Sequence, residues 1–166
     1  NANPIGNQTH FIAGDKDGNV FFDSDQSLIR YDIQTQKFSC LRKSNVYTVA
    51  SIKGTIWVGI ADSILTWNPD KNDFDFVTRL ENRNQRATCL LEDSGGRYWI
   101  GTTDGLFKMN DDKSLTCMIM GEDIYDLYED SKYNLWISIR MNGMYKRDVH
   151  GNFPRYRYDP SNPNNI

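Results

Sequence analysis

An aromatic residue recurs along the chain at an interval near forty: Phe21, Trp57, Trp99 and Trp136 are spaced by 36, 42 and 37 residues. Around each lies the same pattern. The copies read DKDGNVFFDSDQSLIRYD (15–32), KGTIWVGIADSILTWN (53–68), EDSGGRYWIGTTDGLFKMN (92–110) and EDSKYNLWISIRMNGMYKRD (129–148). A repeat of this kind reuses one supersecondary unit, which buries its faces against its neighbours rather than in a core of its own. A period near forty with one aromatic per unit suits β-sheets arranged radially.

Each copy divides into four short strands. Those of the first are expected at 10–14, 19–23, 28–32 and 37–41, and those of the second at 46–52, 55–60, 63–68 and 74–80. The third gives 88–92, 97–102, 106–109 and 114–120; the fourth gives 124–129, 134–139, 143–147 and 153–158. The connections are too short for anything but an up-and-down meander, which excludes a Greek key. The second strands are apolar without alternation, as in Thr55-Ile56-Trp57-Val58, Tyr98-Trp99-Ile100 and Leu135-Trp136-Ile137. A sheet wetted on one side alternates, so these runs mean that both faces are covered. The expected fold is all-β: four four-stranded antiparallel blades of an incomplete β-propeller over 1–166. The blades span about 9–41, 46–80, 87–120 and 124–158, and 159–166 leads toward a next repeat. An aromatic share of 13% and twelve glycines agree with an all-β chain.

The repeated polar residues belong to the scaffold. Asp15, Asp93 and Asp130 stand three residues before Gly18, Gly96 and Tyr133, where an Asp accepts backbone N–H groups and a Gly takes positive φ. Gly59 and Gly101 share a face with the Trp two residues earlier and let a neighbour approach closely. Gly105 and Gly143 open the third strand after a tight turn. Phe21, Trp57, Trp99, Trp136, Asp93, Gly96, Gly101, Gly105, Asp130 and Gly143 therefore serve the repeat and not one active site.

Several functions are disfavoured at once. With 19 basic and 22 acidic residues and a net charge of −3, the chain has no electrostatic draw to nucleic acid. No stretch approaches the ~20 apolar residues of a membrane span, so no membrane contact by this segment is expected. Cys40, Cys89 and Cys117 form no metal-ligand spacing. They read as half-buried strand thiols, or as one disulfide and one thiol if the chain is extracytoplasmic. Neither His10 nor His150 has a Ser or Cys arrangement that makes a nucleophile. The Asp-box of propeller sialidases places its Asp two residues before Gly, whereas Asp93 and Asp130 stand three before. No catalytic residue, metal site or cofactor is expected.

The runs LLEDSGGRYWIGTTDGLFKMN and LYEDSKYNLWISIRMNGMYKRD resemble the two-component regulator propeller repeat, and RYRYDPSNPNNI (155–166) is similar to the segment joining such repeats. The first copy departs from the pattern, with Phe21-Phe22-Asp23 where the family has Trp-Ile-Gly; the second lacks the Glu-Asp pair. The resemblance implies the periplasmic sensor region of a hybrid two-component histidine kinase of saccharolytic gut bacteria. It implies recognition of a glycan-derived ligand, an oligosaccharide or other small molecule, with the kinase outside this chain. The alternatives are a protein-interaction scaffold propeller or a glycoside-processing enzyme.

In a meander the first and third turns lie on one face of the blade, and the second turn and the inter-blade connection on the other. The latter face varies between copies and has the long polar stretch 79–86, so it is the expected binding side. The candidate ligand-binding residues there are Asp62, Arg83, Asp104, Arg140 and Asn142. Trp67 is either a core ring or an exposed stacking platform. The chain is read as part of a larger sensor, with Asn1-Ala2 foreign to it, and its open blade flanks are expected to drive self-association.

Overall fold

The computed structural model describes residues 6, 8–148, 150–158 and 161. Asn1-Ala2 and all but one residue of the 159–166 connection lie outside them. The described residues form sixteen strands and no helix. In the first sheet these are β1 (Ile12–Gly14), β2 (Val20–Ser24), β3 (Ser27–Asp32) and β4 (Lys37–Lys43). The second has β5 (Val46–Ile52), β6 (Thr55–Ile60), β7 (Ser63–Asn68) and β8 (Asp73–Arg79). Next come β9 (Ala87–Glu92), β10 (Tyr98–Thr102), β11 (Gly105–Met109) and β12 (Leu115–Met120). Last are β13 (Ile124–Glu129), β14 (Leu135–Ile139), β15 (Met144–Arg147) and β16 (Arg155–Tyr156). Every sheet follows chain order, as an antiparallel meander does. These are four β-propeller blades.

Two strands are shorter by two residues or more than the sequence pattern suggests, for identifiable reasons. The backbone amides of His10 and Phe11 donate to Asp23 Oδ1, both at 2.7 Å, instead of entering the ladder, so β1 begins only at Ile12. In the last blade Pro154 has no N–H to give; its carbonyl accepts from Lys146, and pairing is confined to Arg155 and Tyr156.

The blades form two compact units, Asn1–Ala87 and Thr88–Ile166. In the first unit, Phe21 and Leu28 of one sheet pack with Val46, Ile56, Val58, Trp67 and Phe74 of the next. Trp67 is buried there, edge-on to Phe21 at 5.2 Å and to Phe74 at 5.1 Å, and is a core ring. In the second unit Trp99 and Leu106 pack with Ile124, Leu127, Leu135 and Ile137. Arg147 holds the place in its blade that Trp67 holds in the second blade, and its guanidinium lies over the Trp99 ring at 5.6 Å. A cation–π contact thus stands where the first unit has an aromatic pair. β6 and β10 are buried on both faces, whereas β14 alternates and leaves Trp136 half-buried.

Close approach explains the glycine after the Trp. A Cβ on Gly101 would lie 2.7 Å from Ile124 Cγ2 and closer still to Cys89 Sγ, and one on Gly59 would lie 2.9 Å from Thr48 Cγ2. At Gly105 and Gly143, both with positive φ, a Cβ would run into the carbonyl oxygens of Ile119 and Tyr156 on the adjoining strand. All three cysteines are thiols. Cys89 is buried, and burial pushes its thiol up to about 12. Cys40 and Cys117 are exposed on the outermost strands of their blades and not half-buried.

Candidate functional site

The first turn of each blade is committed to structure. Asp93 Oδ1 accepts the Arg97 amide at 2.9 Å, and its Oδ2 accepts the Trp99 indole N–H at 2.8 Å and the Arg97 guanidinium at 2.6 Å. Asp130 repeats this with the Asn134 amide at 3.0 Å and the Trp136 indole at 2.8 Å. Burial works to raise the Asp93 carboxyl, but those hydrogen bonds outweigh it and hold it below the usual value. The Trp136 indole and the Asn134 amide hold Asp130 well below the carboxylate range. Gly96 takes φ +77° in this turn, and Tyr133 takes φ 64° at the same place. The third turn has its own repeated device: Asp32, Asn68 and Asp148 each accept backbone amides two to four residues ahead.

Less constrained chemistry lies on the opposite edge. In the second unit the connection 121–123 ties two blades together. Gly121 donates to the Asp104 carbonyl at 3.1 Å, and the Asp123 carbonyl accepts from the Arg140 amide at 2.8 Å. Around this backbone bridge the side chains interlock. Arg140 Nε pairs with Asp123 Oδ2 at 2.9 Å, and Asn142 Nδ2 donates to Glu122 Oε2 at 3.0 Å. Glu122 Oε1 also meets Arg155 Nη1 at 2.9 Å and the Tyr145 hydroxyl at 3.4 Å. Arg155 closes the set by donating to the Asn142 carbonyl at 3.1 Å.

Two aromatic faces border the network. The Arg140 guanidinium lies 5.0 Å from the Tyr125 ring centroid, and that of Arg155 lies 5.1 Å from Tyr145. Tyr125 is 60% exposed, and Met141 at the tip of the turn is fully exposed. The cluster combines two guanidiniums, two carboxylates, an amide and an open aromatic ring. Such a surface can hydrogen-bond both donors and acceptors of a neutral polar ligand while an apolar ring face stacks on tyrosine.

Three of the five candidate residues, Asp104, Arg140 and Asn142, thus meet around 121–123. Asp62 and Arg83 belong to the first unit. Asp62 gives its carbonyl to the Leu80 amide at 2.8 Å, while its carboxylate lies 3.6 Å from Arg79 Nε. Arg83 is exposed on a loop that holds itself together, with the Gln85 amide on the Asn82 carbonyl at 2.9 Å and buried Gln85 inside it. The sequence reading missed Glu122, Asp123, Tyr125, Tyr145 and Arg155. Glu122-Asp123 lie directly before a strand, a position whose equivalent, 44–45, is Ser-Asn; the acidic pair was the available signal. Among the described residues no group of three or more His, Cys, Asp or Glu is placed to hold a metal ion.

His10 was set aside as a catalytic group, and the structure gives it a partner. Its Nδ1 lies 2.8 Å from Asp23 Oδ2, with Asp23 buried. Asp23 occupies the place of Gly59 and Gly101 in the other copies. The departure from the Trp-Ile-Gly pattern is therefore a carboxylate that holds the incoming strand.

Residues 83–104 match the sequence model of the family described as Two component regulator propeller. This stretch is similar to a two component regulator propeller repeat. The matched repeat runs from the loop at Arg83 through β9 and β10 to Asp104, and so ends at the edge of the 121–123 cluster. Among solved structures, the chain is similar to an extracellular domain attributed to a hybrid two component system of B. thetaiotaomicron. That likeness has a TM-score of 0.80 at 20% identity and covers 95% of this chain and 23% of that one. A second such domain from the same organism gives 0.73 at 20% identity, covering 92% and 22%. The chain therefore spans less than a quarter of either domain. Virginiamycin B lyase from Staphylococcus aureus is similar in fold, with TM-score 0.72 at 14% identity over 92% of this chain and 56% of the lyase. No curated protein sequence matches.

Proposed function

We propose that this chain is the ligand-sensing part of an extracytoplasmic sensor in a hybrid two-component system, with signal output from a kinase outside these residues. The observation that carries the reading is the propeller repeat at 83–104 within a fold shared with extracellular domains of such systems. On this reading the segment lies in the periplasm and does no chemistry on its ligand; it binds and reports.

The proposed ligand is a glycan-derived oligosaccharide, and the proposed place is the 121–123 cluster. Tyr125 offers a ring for a sugar face, while Arg140, Asp123 and Asn142 offer donors and acceptors spaced for hydroxyls. Asp62 and Arg83 are proposed as a second, separate contact region of the first unit. The test is calorimetric titration of a broad oligosaccharide panel against the chain, with Tyr125→Ala and Arg140→Ala alongside. Binding that both variants weaken supports the site. No heat from any member of the panel defeats the glycan reading.

A further inference from the structure

The connections between blades differ in length. β4 passes to β5 through 44–45 and β12 to β13 through 121–123, two and three residues, whereas 80–86 between β8 and β9 has seven. Joining two blades does not need the surplus, and the surplus is folded. Buried Leu80, whose amide donates to the Asp62 carbonyl at 2.8 Å, and buried Gln85 fix it. Between them the Gln85 amide returns to the Asn82 carbonyl at 2.9 Å, and the Asn84 amide donates to Asn82 Oδ1 at 3.0 Å. This frame leaves Arg83 and Arg86 exposed on either side of Gln85.

Arg86 has a defined seat, with its guanidinium 4.9 Å from the Tyr47 ring centroid. The pairing of β5 with β6 slips between Val46 and Thr48, so Tyr47 is a bulged residue. A bulge re-aims a side chain and is common beside functional sites. β13 slips at the same place, between Ile124 and Asp126, and its bulged residue is Tyr125, with Arg140 at 5.0 Å. The two arginines come from unlike parts of the repeat: Arg86 from the connection after β8, Arg140 from the turn between β14 and β15. A contact required by the blade scaffold would draw on the same position each time; this one is built twice by different routes.

Charge separates the two copies. Two residues before Tyr125 stands Asp123, which pairs with Arg140 at 2.9 Å. Two residues before Tyr47 stands Asn45, and 44–45 carries no acid. Of the three arginines in 79–86, Arg79 lies 3.6 Å from Asp62, and Glu81 is the one acid of the stretch. The loop is therefore basic, in a chain whose net charge is −3.

We propose that Arg83, Arg86 and Tyr47 form a binding site for the acidic group of a sugar, a uronate carboxylate or a sulfate ester. The proposal rests on the glycan reading above and divides the ligand by charge. The first unit takes the anion, and the charge-balanced cluster at 121–123 takes neutral hydroxyls. Guanidiniums meet such oxyanions with paired N–H donors, and Tyr47 holds one of them in position.

The test is calorimetric titration of the chain with an oligogalacturonate, its neutral methyl ester and a sulfated neutral oligosaccharide. The oligogalacturonate is expected to bind at least tenfold more tightly than its ester, and less tightly as salt is raised. Arg83→Gln and Arg86→Gln are each expected to weaken it by about tenfold, the scale of a lost charged hydrogen bond. Both side chains are exposed, and an unchanged melting temperature checks the fold. Lys37→Gln, which removes the same charge from the opposite edge of the first blade, is expected to change nothing. A sulfated ligand that binds more tightly than the uronate, with the same dependence on Arg83 and Arg86, assigns the anion as sulfate. Acid and ester that bind alike overturn the proposal, as do variants no weaker than the wild type or a Lys37→Gln effect of equal size. A neutral ester that binds while neither anionic ligand does overturns this site and leaves the glycan reading standing; no heat from any of the three, or from the broader panel, overturns both.

Discussion

The Trp99 indole N–H donates to Asp93 Oδ2 across 2.8 Å, and both residues are buried. Trp136 and Asp130 repeat the bond at the same distance. The turn acid and the central aromatic of a blade are thus one device, in which the carboxylate shapes the turn with one oxygen and fixes the ring with the other. In the first blade Phe21 has no donor, and Asp15 Oδ2 accepts from Asn19 Nδ2 at 2.9 Å instead.

Asp93→Ala leaves the buried Trp99 N–H without an acceptor and frees the turn. An orphaned buried donor costs about 1–3 kcal/mol. Urea unfolding is expected to show a loss of about 2 kcal/mol or more, and Trp99→Phe in the Asp93→Ala background is expected to recover part of it. Equal stability of the variant and the wild type would show that the bond contributes nothing.

Acid should destabilise the fold through the same carboxylates. Asp93 and Asp130 are held below their ordinary values in the folded chain. Their contribution is then fully present above the unfolded carboxylate value of about 4 and is lost as pH falls through the folded values. The melting temperature is expected to drop from about pH 4 downward. Asp130→Asn, which cannot titrate, should have a shallower acid limb. Parallel limbs for the two proteins would contradict this.

Gly101→Ala forces a methyl onto Cys89 Sγ and Ile124 Cγ2. Overpacking of this kind costs about 1–3 kcal/mol. Cys89→Gly removes the sulfur, and the double variant is expected to be less destabilised than the two single effects added together. Strict additivity would place the clash elsewhere.

Asp23→Gly restores the residue found in the second and third blades but removes the acceptor for the His10 and Phe11 amides. Those two amides are expected to lose hydrogen-exchange protection ahead of the rest of the first blade. Unchanged protection would mean that the incoming strand is held by its packing alone.

The blade pattern was legible because its causes are local. Strands 46–52, 55–60, 63–68 and 124–129 begin and end where turn residues and period dictate, and the structure has them at those residues. The misjudged ends depend on distant partners or on a missing donor: Asp23 draws off the amides of His10 and Phe11, and Pro154 interrupts the last ladder. The polar cluster was half visible. Asp104, Arg140 and Asn142 lie in turns that vary among copies. Glu122 and Arg155 meet only because the fourth blade folds β16 back beside β15, which no spacing of 33 residues announces.

Position 23 carries a carboxylate where residues 59 and 101 are glycine and residue 138 is serine. Copies that look alike in sequence are therefore not interchangeable. Tandem DNA repeats invite unequal crossing-over, yet a gene product with its first copy moved inward would bring a buried acid to a place shaped for a hydrogen atom. Each copy is thereby fitted to its own neighbours, the acid at 23 to the amides of His10 and Phe11 and the glycines at 59 and 101 to Thr48 and Cys89.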